Sequence, residues 1–317
     1  LFNYPLILTD YLAYMETIKG RSPNTTKEYG YDISKFLKFI YTRFESNKYN
    51  YIEFEEINIS NFPDSYFKKI ELSDLHAYLA FLDRKFNDST TTRARKVSSL
   101  RSFFKYLVTI RKILDINPTD QLETPKKQSR NPVYLTLDES IRLLKSVDSI
   151  ENEVMKKRDR CILILFLNCG MRLSELSNIK ISDIKNDTLQ VVGKGNKQRT
   201  IYLNKSCNVA IDDYLKVRPP TDDEYLFLSN RKSQISNRAI QRRVDYYLEK
   251  SGFDTKIYST HKLRHTAATL MFKHGDVDIK ILQEILGHVS VATTQIYTHV
   301  DDESLREAIN KNPLSDI

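Results

Sequence analysis

Tyr297 stands nine positions after His288, in the stretch LGHVSVATTQIYTH. Upstream, HKLRH carries His261 and Arg264, and GMRLSEL carries Arg172. Between these two motifs, GKGNKQR carries Lys194. Together they supply an aromatic hydroxyl, two guanidiniums, two imidazoles and an amine. A phenol becomes a nucleophile once a base takes its proton. Guanidiniums and imidazoles can hold the charge that gathers on phosphoryl oxygens. An amine can protonate a leaving oxygen. That is a kit for attacking a phosphodiester with a tyrosine and no metal.

Each signal taken singly has a plain structural alternative. Arg172 follows Gly170, a residue suited to ending a helix, but Glu175 at i+3 could simply pair with Arg172. His261, Arg264 and His265 fall at i, i+3 and i+4, so they share a helical face. A planar guanidinium fork there could clamp two phosphate oxygens, and an imidazole exchanges protons near neutral pH. A lone HxxRH can equally be helix capping. His288 follows a helix stop at Gly287. His265, His76, His274 and His299 are read as structural.

The elements that must position these groups are mostly helices. Apolar spacing predicts an amphipathic helix over 5–19. A second runs to about Tyr41, started by Ser22 and Asn24 around Pro23, with Tyr29, Ile33, Phe36, Leu37 and Ile40 facing inward. Residues 42–70 read as a long, aromatic-rich loop or insertion. Ser73 is a cap candidate for a helix to Phe86, and another helix covers 90–110. Residues 119–133, TDQLETPKKQSRNPV, have linker composition. They divide a helical domain, 1–118, from a larger one, 134–317. The second domain opens on TLDES, a capping signal, and its most apolar helix, about 154–169, should be central. DTLQVV and RTIYL flank GKGNKQ and predict a β-hairpin. Helices are expected at 205–217, 236–250, 261–274, 277–286 and 290–296, with a tail helix at 303–310. The expected fold is mainly α with a small antiparallel sheet.

Composition narrows the class. The chain has 317 residues, 40% of them hydrophobic and 28% charged, enough for a sizeable core. No apolar run approaches the roughly 20 residues of a membrane span, so no membrane partner is expected. The opening LFNYPLILTDYL lacks a basic leader and is not read as a signal peptide. Three cysteines, Cys161, Cys169 and Cys207, lack metal-ligand spacing. Cys161 and Cys169, in the apolar stretch CILILFLNCG, fit small core positions, and a reducing cytoplasm fits the set. Neither HExxH nor a GxxxxGK[ST] phosphate loop occurs, so no metal and no nucleotide cofactor is expected.

The net charge of +8 favours a polyanionic partner. Residues 93–130 hold ten basic residues against three acidic ones. Lys96, Ser99 and Arg101 in this stretch mix cations with a hydroxyl, as phosphate contacts do; a solvated helix face is the equal alternative. In ISNRAIQRRVDYYLEK, Asn237, Arg238, Gln241 and Arg242 share a helical stripe. Asn, Gln and Arg can make paired contacts to base edges, though an ordinary exposed helix reads the same way.

Jointly the motifs are specific. In type and order, GMRLSEL, GKGNKQR, HKLRHT, LGH and IYTH resemble the catalytic domain of tyrosine recombinases, with Xer-type recombinases and mobile-element integrases the nearest in pattern. The resemblance spans both domains. It implies an N-terminal helical, SAM-like core-binding domain, a basic linker and a C-terminal catalytic domain. It assigns Tyr297 as the nucleophile forming a 3′-phosphotyrosine, and Arg172, Arg264 and His288 as holders of the phosphoryl oxygens. His261 would be the base or relay, Lys194 the acid for the 5′-oxygen, and Glu175 a support for its neighbours. It implies double-stranded DNA with a short, partly symmetric site as substrate. The acting form would be a homotetramer, a dimer of dimers, on the nucleoid, with a second recombinase or accessory protein as an open addition. A topoisomerase-like nicking-closing enzyme and a non-catalytic DNA-binding protein are the competing readings. Residues 42–70 depart from the compact members of the family. The departure bears on partner contacts and target choice, not on the chemistry.

Overall fold

The computed structural model describes residues 4–49, 52–125, 133–193, 198–275 and 277–287. The chain divides into two compact units, Leu1–Ser129 and Arg130–Ile317.

The first unit is helical. α1 (Leu6–Thr17) is followed by α2 (Pro23–Phe44). Ser22 caps α2 by accepting from the Thr25 N–H at 3.4 Å, with Pro23 at the first helical position. Two short helices, α3 (Ser46–Tyr49) and α4 (Asp64–Phe67), precede α5 (Leu72–Phe86) and α6 (Thr90–Thr109). Helix α5 begins a residue before the expected cap, Ser73. The Asp74 carboxylate accepts from the Glu71 N–H at 2.9 Å, which makes Glu71 the cap residue.

The expectation of a loop over 42–70 is corrected. Helix α2 runs on to Phe44, and Phe54, Ile57, Ile59, Phe62, Phe67 and Ile70 are all buried. Phe62 contacts Tyr41, and Phe67 contacts Phe103. The aromatic density that looked irregular along the chain is core, laid over α2 and α6 by short turns that lack a helical or strand period. The first part of the expected linker is packed as well. Thr119 and Leu122 are buried, and Arg101 donates to the Leu122 carbonyl and, at 2.9 Å, to Thr124.

Two of the three candidate phosphate contacts on α6 are also corrected. Ser99 is fully buried, and its hydroxyl donates to the Lys96 carbonyl at 2.9 Å. Lys96 is 5% exposed and pairs with Asp88 at 2.7 Å. Neither offers an atom to an outside phosphate. Other bases of this stretch are neutralised within the unit: Arg93 by Asp83, Arg95 by Glu28 and Asp32, and Arg111 by Asp10.

In the second unit, α7 (Leu137–Lys145) starts on the Thr136–Glu139 capping box, as TLDES predicts. α8 (Glu153–Cys169) is the central helix, with eight buried apolar residues among Cys161–Cys169. It packs on α10 (Lys205–Val217) and α12 (Thr260–His274), and contacts α11 (Asn237–Lys250). α9 (Leu173–Ser177) and α13 (Ile279–Leu286) complete the described helices. β2 (Thr188–Val192) and β3 (Gln198–Tyr202) form the expected hairpin. A two-residue strand, β1 (Ile184–Lys185), too short to show a period, adds an antiparallel edge to β2. Leu189, Val191 and Ile201 face the core. All three cysteines are free and buried. No described helix is long and apolar enough to cross a membrane.

Candidate active site

Arg172 sits at the start of α9, just after α8 ends. Gly170 ends α8 in the left-handed conformation, φ +57°. The left-handed turn favours a glycine there, and a Cβ would in addition push on the end of the Leu286 side chain, 2.9 Å away. The carboxylate of Glu175, in the first turn of α9, accepts from the Arg172 backbone N–H at 2.8 Å and from its Nη1 at 2.7 Å. The pairing anticipated from sequence is therefore real, and it orients Arg172 rather than consuming it. The Arg172 side chain remains 33% exposed.

His261 and Arg264 lie one turn apart on α12. A cleft of about 520 Å³ is lined by Met171, Arg172, Ser174, Asn237, Thr260, His261 and Arg264. The fold thus brings Arg172, His261 and Arg264, 92 residues apart in sequence at their widest, to one cleft. Asn237 from α11 stands at the same cleft. Arg238 and Arg242 are exposed on α11, and Arg238 donates to Gln241 at 3.1 Å.

Arg264 is buried, and its Nη1 and Nη2 donate to the carbonyls of Gly170 and Leu286, each at 2.6 Å. It is a strut of the site as well as part of its lining. The Arg172 Nη2 donates to the Gly287 carbonyl at 3.0 Å. These carbonyls, at the end of α13 and at its cap Gly287, lie at the negative end of the helix dipole, which favours guanidiniums.

The charges are tuned by these contacts. Burial pushes the Glu175 carboxyl up, but Arg199 and Arg172 outweigh it and hold the group below the ordinary carboxylate value. Partial burial lowers the pKa of His261, and the positive charges of Arg264, Lys262 and Arg172 lower it further. Its ring stands at the cleft rim and meets His265 edge-on at 4.6 Å between centroids. A neutral imidazole beside two guanidiniums can take a proton from a group whose anion those guanidiniums stabilise.

Lys194, His288 and Tyr297 lie outside the described residues, as do the expected helices at 290–296 and 303–310. Among the described residues, no cluster of three or more His, Cys, Asp or Glu is arranged to hold a metal.

Arg199 was missed from sequence, although it lies in the quoted motif GKGNKQR. Its Nη2 donates to Glu175 at 2.9 Å and its Nη1 to the Ile285 carbonyl. A signal was there. In RTIYL the period of two puts Arg199 on the same face as Ile201, and Ile201 is core. An arginine at an inward strand position needs a buried partner.

The phage integrase family model matches residues 134–304. The chain belongs to this family, and it is a tyrosine recombinase of the Xer-like kind, an enzyme of DNA recombination. It is 52% identical to tyrosine recombinase XerC of Caldanaerobacter subterraneus subsp. tengcongensis, over 99% of this chain and 88% of that one. Its fold is similar to that of the Tn1549 transposon integrase in complex with transposon right-end DNA. The TM-score is 0.74 at 18% identity, covering 96% of this chain and 98% of that one. It is also similar to XerH site-specific recombinase bound to its difH substrate. There the TM-score is 0.67 at 23% identity, covering 96% and 84%.

Proposed function

We propose that this recombinase cuts and rejoins double-stranded DNA at a short, partly symmetric site, through a 3′-phosphotyrosine at Tyr297. The observation that carries the reading is the convergence of Arg172, His261 and Arg264 on one cleft, with His261 held toward its neutral form. In this scheme the Tyr297 oxygen attacks phosphorus as His261 takes its proton. The P–O5′ bond breaks, and Lys194 gives a proton to the leaving 5′-oxygen. Arg172, Arg264 and His288 hold the phosphoryl oxygens while charge gathers on them. A 5′-hydroxyl from another strand then attacks the phosphotyrosine, restores the DNA and frees Tyr297. The bond energy is kept in the covalent link, so no nucleotide is consumed.

The division of labour follows the same reading. The first unit, Leu1–Ser129, forms the core-binding domain and the second, Arg130–Ile317, the catalytic domain. Arg238, Gln241, Arg242 and Asn237 contact DNA from α11, which borders the cleft through Asn237. The acting species is a homotetramer, a dimer of dimers, on nucleoid DNA in the cytoplasm. Leu305 and Ile309, at i and i+4 in the tail, are its candidates for apolar docking, on a neighbouring subunit or on their own domain.

The test is to incubate the protein with pooled genomic fragments, denature it, and sequence the ends of protein-linked DNA. An adduct at one short site, lost in Tyr297→Phe with DNA affinity retained, is the expected result. An adduct that persists in the phenylalanine variant rejects the nucleophile. Bound DNA without any adduct, even on a nicked duplex that traps the cut strand, favours the non-catalytic alternative. Supercoil relaxation without exchange between two sites favours the topoisomerase-like one.

A further inference from the structure

Arg199 has no part in the chemistry above, yet it touches three of the elements that serve it. It lies on β3, paired with Val191 of β2, five positions after Lys194 in the sequence. Its Nη2 reaches Glu175 Oε2 at 2.9 Å, and its Nε reaches Oε1 at 3.4 Å. Its Nη1 donates to the Ile285 carbonyl, two residues before Gly287. Its aliphatic stem lies against Gly287 so closely that a Cβ there would be 2.9 Å from Arg199 Cδ.

We propose that Arg199 is a positioning residue for DNA cleavage, tying the Lys194 hairpin, the Glu175–Arg172 pair and the carboxyl end of α13 into one rigid unit. Its side chain is 14% exposed, its donors are engaged by Glu175 and a backbone carbonyl, and it is not among the residues lining the cleft of Arg172, His261 and Arg264. The planar fork matters. One edge grips a carboxylate while the remaining nitrogen reaches a carbonyl on another element, which a lysine ammonium cannot reproduce. Without it, Glu175 would hold Arg172 but would no longer be tied to the hairpin or to the segment leading into His288. The strand period fixes the side: position 199 faces inward with Ile201, while Gln198, Thr200 and Tyr202 face out.

This inference rests on the cleavage reading, and two arms keep the two apart. The first needs no DNA: thermal unfolding of wild type and Arg199→Gln is compared as pH falls from neutrality. Arg199 and Arg172 hold Glu175 below its ordinary value, so their contribution is present above about pH 4.5 and is lost as the carboxyl protonates. The gap between wild type and variant should be widest near neutrality and narrow on acidification. In a Glu175→Gln background it should be small and flat. A gap that stays constant with pH in both backgrounds overturns the proposal, whether or not DNA is cut.

The second arm is single-turnover cleavage of a nicked duplex carrying the recovered site. Arg199→Gln should cut roughly 10–100-fold more slowly, the order of loss seen when a residue that orients metal ligands is removed. DNA affinity should stay near the wild-type value. Arg199→Lys should keep DNA affinity and regain only part of the rate, because an ammonium cannot bridge the carboxylate and the carbonyl together. A variant that cuts at the wild-type rate per folded molecule overturns the proposal. Failure of the wild type itself to cut counts against the cleavage reading, and the DNA-free arm then decides whether Arg199 ties Glu175.

Discussion

The Arg172 Nη2 donates to the carbonyl oxygen of Gly287 at 3.0 Å, across 115 residues of sequence. Arg264 takes the preceding carbonyl, Leu286, and Arg199 the one before that, Ile285. Three guanidiniums thus occupy three successive carbonyls at the C-terminus of one helix. Those carbonyls lie at the negative end of the α13 dipole, which offsets the mutual repulsion of the cations.

Gly287→Ala should disturb this arrangement directly. Gly287 has φ +63°, and the left-handed conformation costs a residue with a Cβ about 1–2 kcal/mol. The new Cβ would also meet Arg199 Cδ at 2.9 Å. Cleavage should fall by more than that stability loss explains. Calorimetry beside single-turnover adduct formation checks it, and equal losses in both would mean that only folding was affected.

Glu175→Gln removes the anion between Arg172 and Arg199. Hydrogen bonds to charged groups contribute about 1.5–3 kcal/mol each, so unfolding should ease by an amount of that order. Adduct formation should slow while DNA affinity holds. Gel-shift titration and adduct kinetics on the same preparation separate the two effects.

His261 sets a pH dependence whose sign is fixed. Partial burial and the charges of Arg264, Lys262 and Arg172 lower its pKa, so the ring stays neutral below the ordinary imidazole value of about 6.5. A base must be neutral, so the acid limb of cleavage should lie below that pH. Lys262→Met should raise the limb by removing one positive charge. In folding, the unfolded chain takes the proton first, so this group weakens the fold as pH drops below about 6.5. A rate profile with its limb at or above 6.5 would contradict the assignment of His261 as base.

Phe67→Ala tests residues 42–70 as core. Phe67 is 1% exposed and meets both Phe62 and Phe103. Truncating a buried phenylalanine costs about 3–5 kcal/mol. Urea unfolding followed by tyrosine fluorescence should show the first unit lose stability by that order. A change within a few tenths of a kcal/mol would return the segment to a surface loop.

The basic residues should split into two groups by salt dependence. Arg238→Ala with Arg242→Ala should reduce the slope of log affinity against log salt by about 0.9 for each phosphate that the pair neutralises. Lys96→Met should leave the slope alone and alter unfolding instead, because Lys96 is spent on Asp88. Fluorescence anisotropy over a salt series measures both.

Much of this molecule is legible in its sequence because the relevant rules are local. The Ser22 and Thr136 caps, the 3.6-residue stripe of α2 and the hairpin around GKGNKQ all arise between near neighbours. The types and order of Arg172, Lys194, His261, Arg264, His288 and Tyr297 likewise carried the family before any coordinate was known. Residues 42–70 escaped because short turns lack a period, although their aromatics are as buried as those of the helices.

Charge is where the tertiary structure decided. The basic excess of 93–130 reads equally as a phosphate-binding face and as a solvated helix face. Folding instead pairs Arg95 with Asp32, 63 residues away, and Arg93 with Asp83, and it sinks Lys96 and Ser99 into the unit. Arg199 looked like one more base in a basic motif until the fold set it against Glu175, 24 residues upstream. Sequence determined which ionisable groups this protein has. Which of them are spent on one another, and which stay open to a substrate, depended on distances that exist only once the chain is folded, because Coulomb and hydrogen-bond energies fall off with separation in space and are blind to separation along the chain.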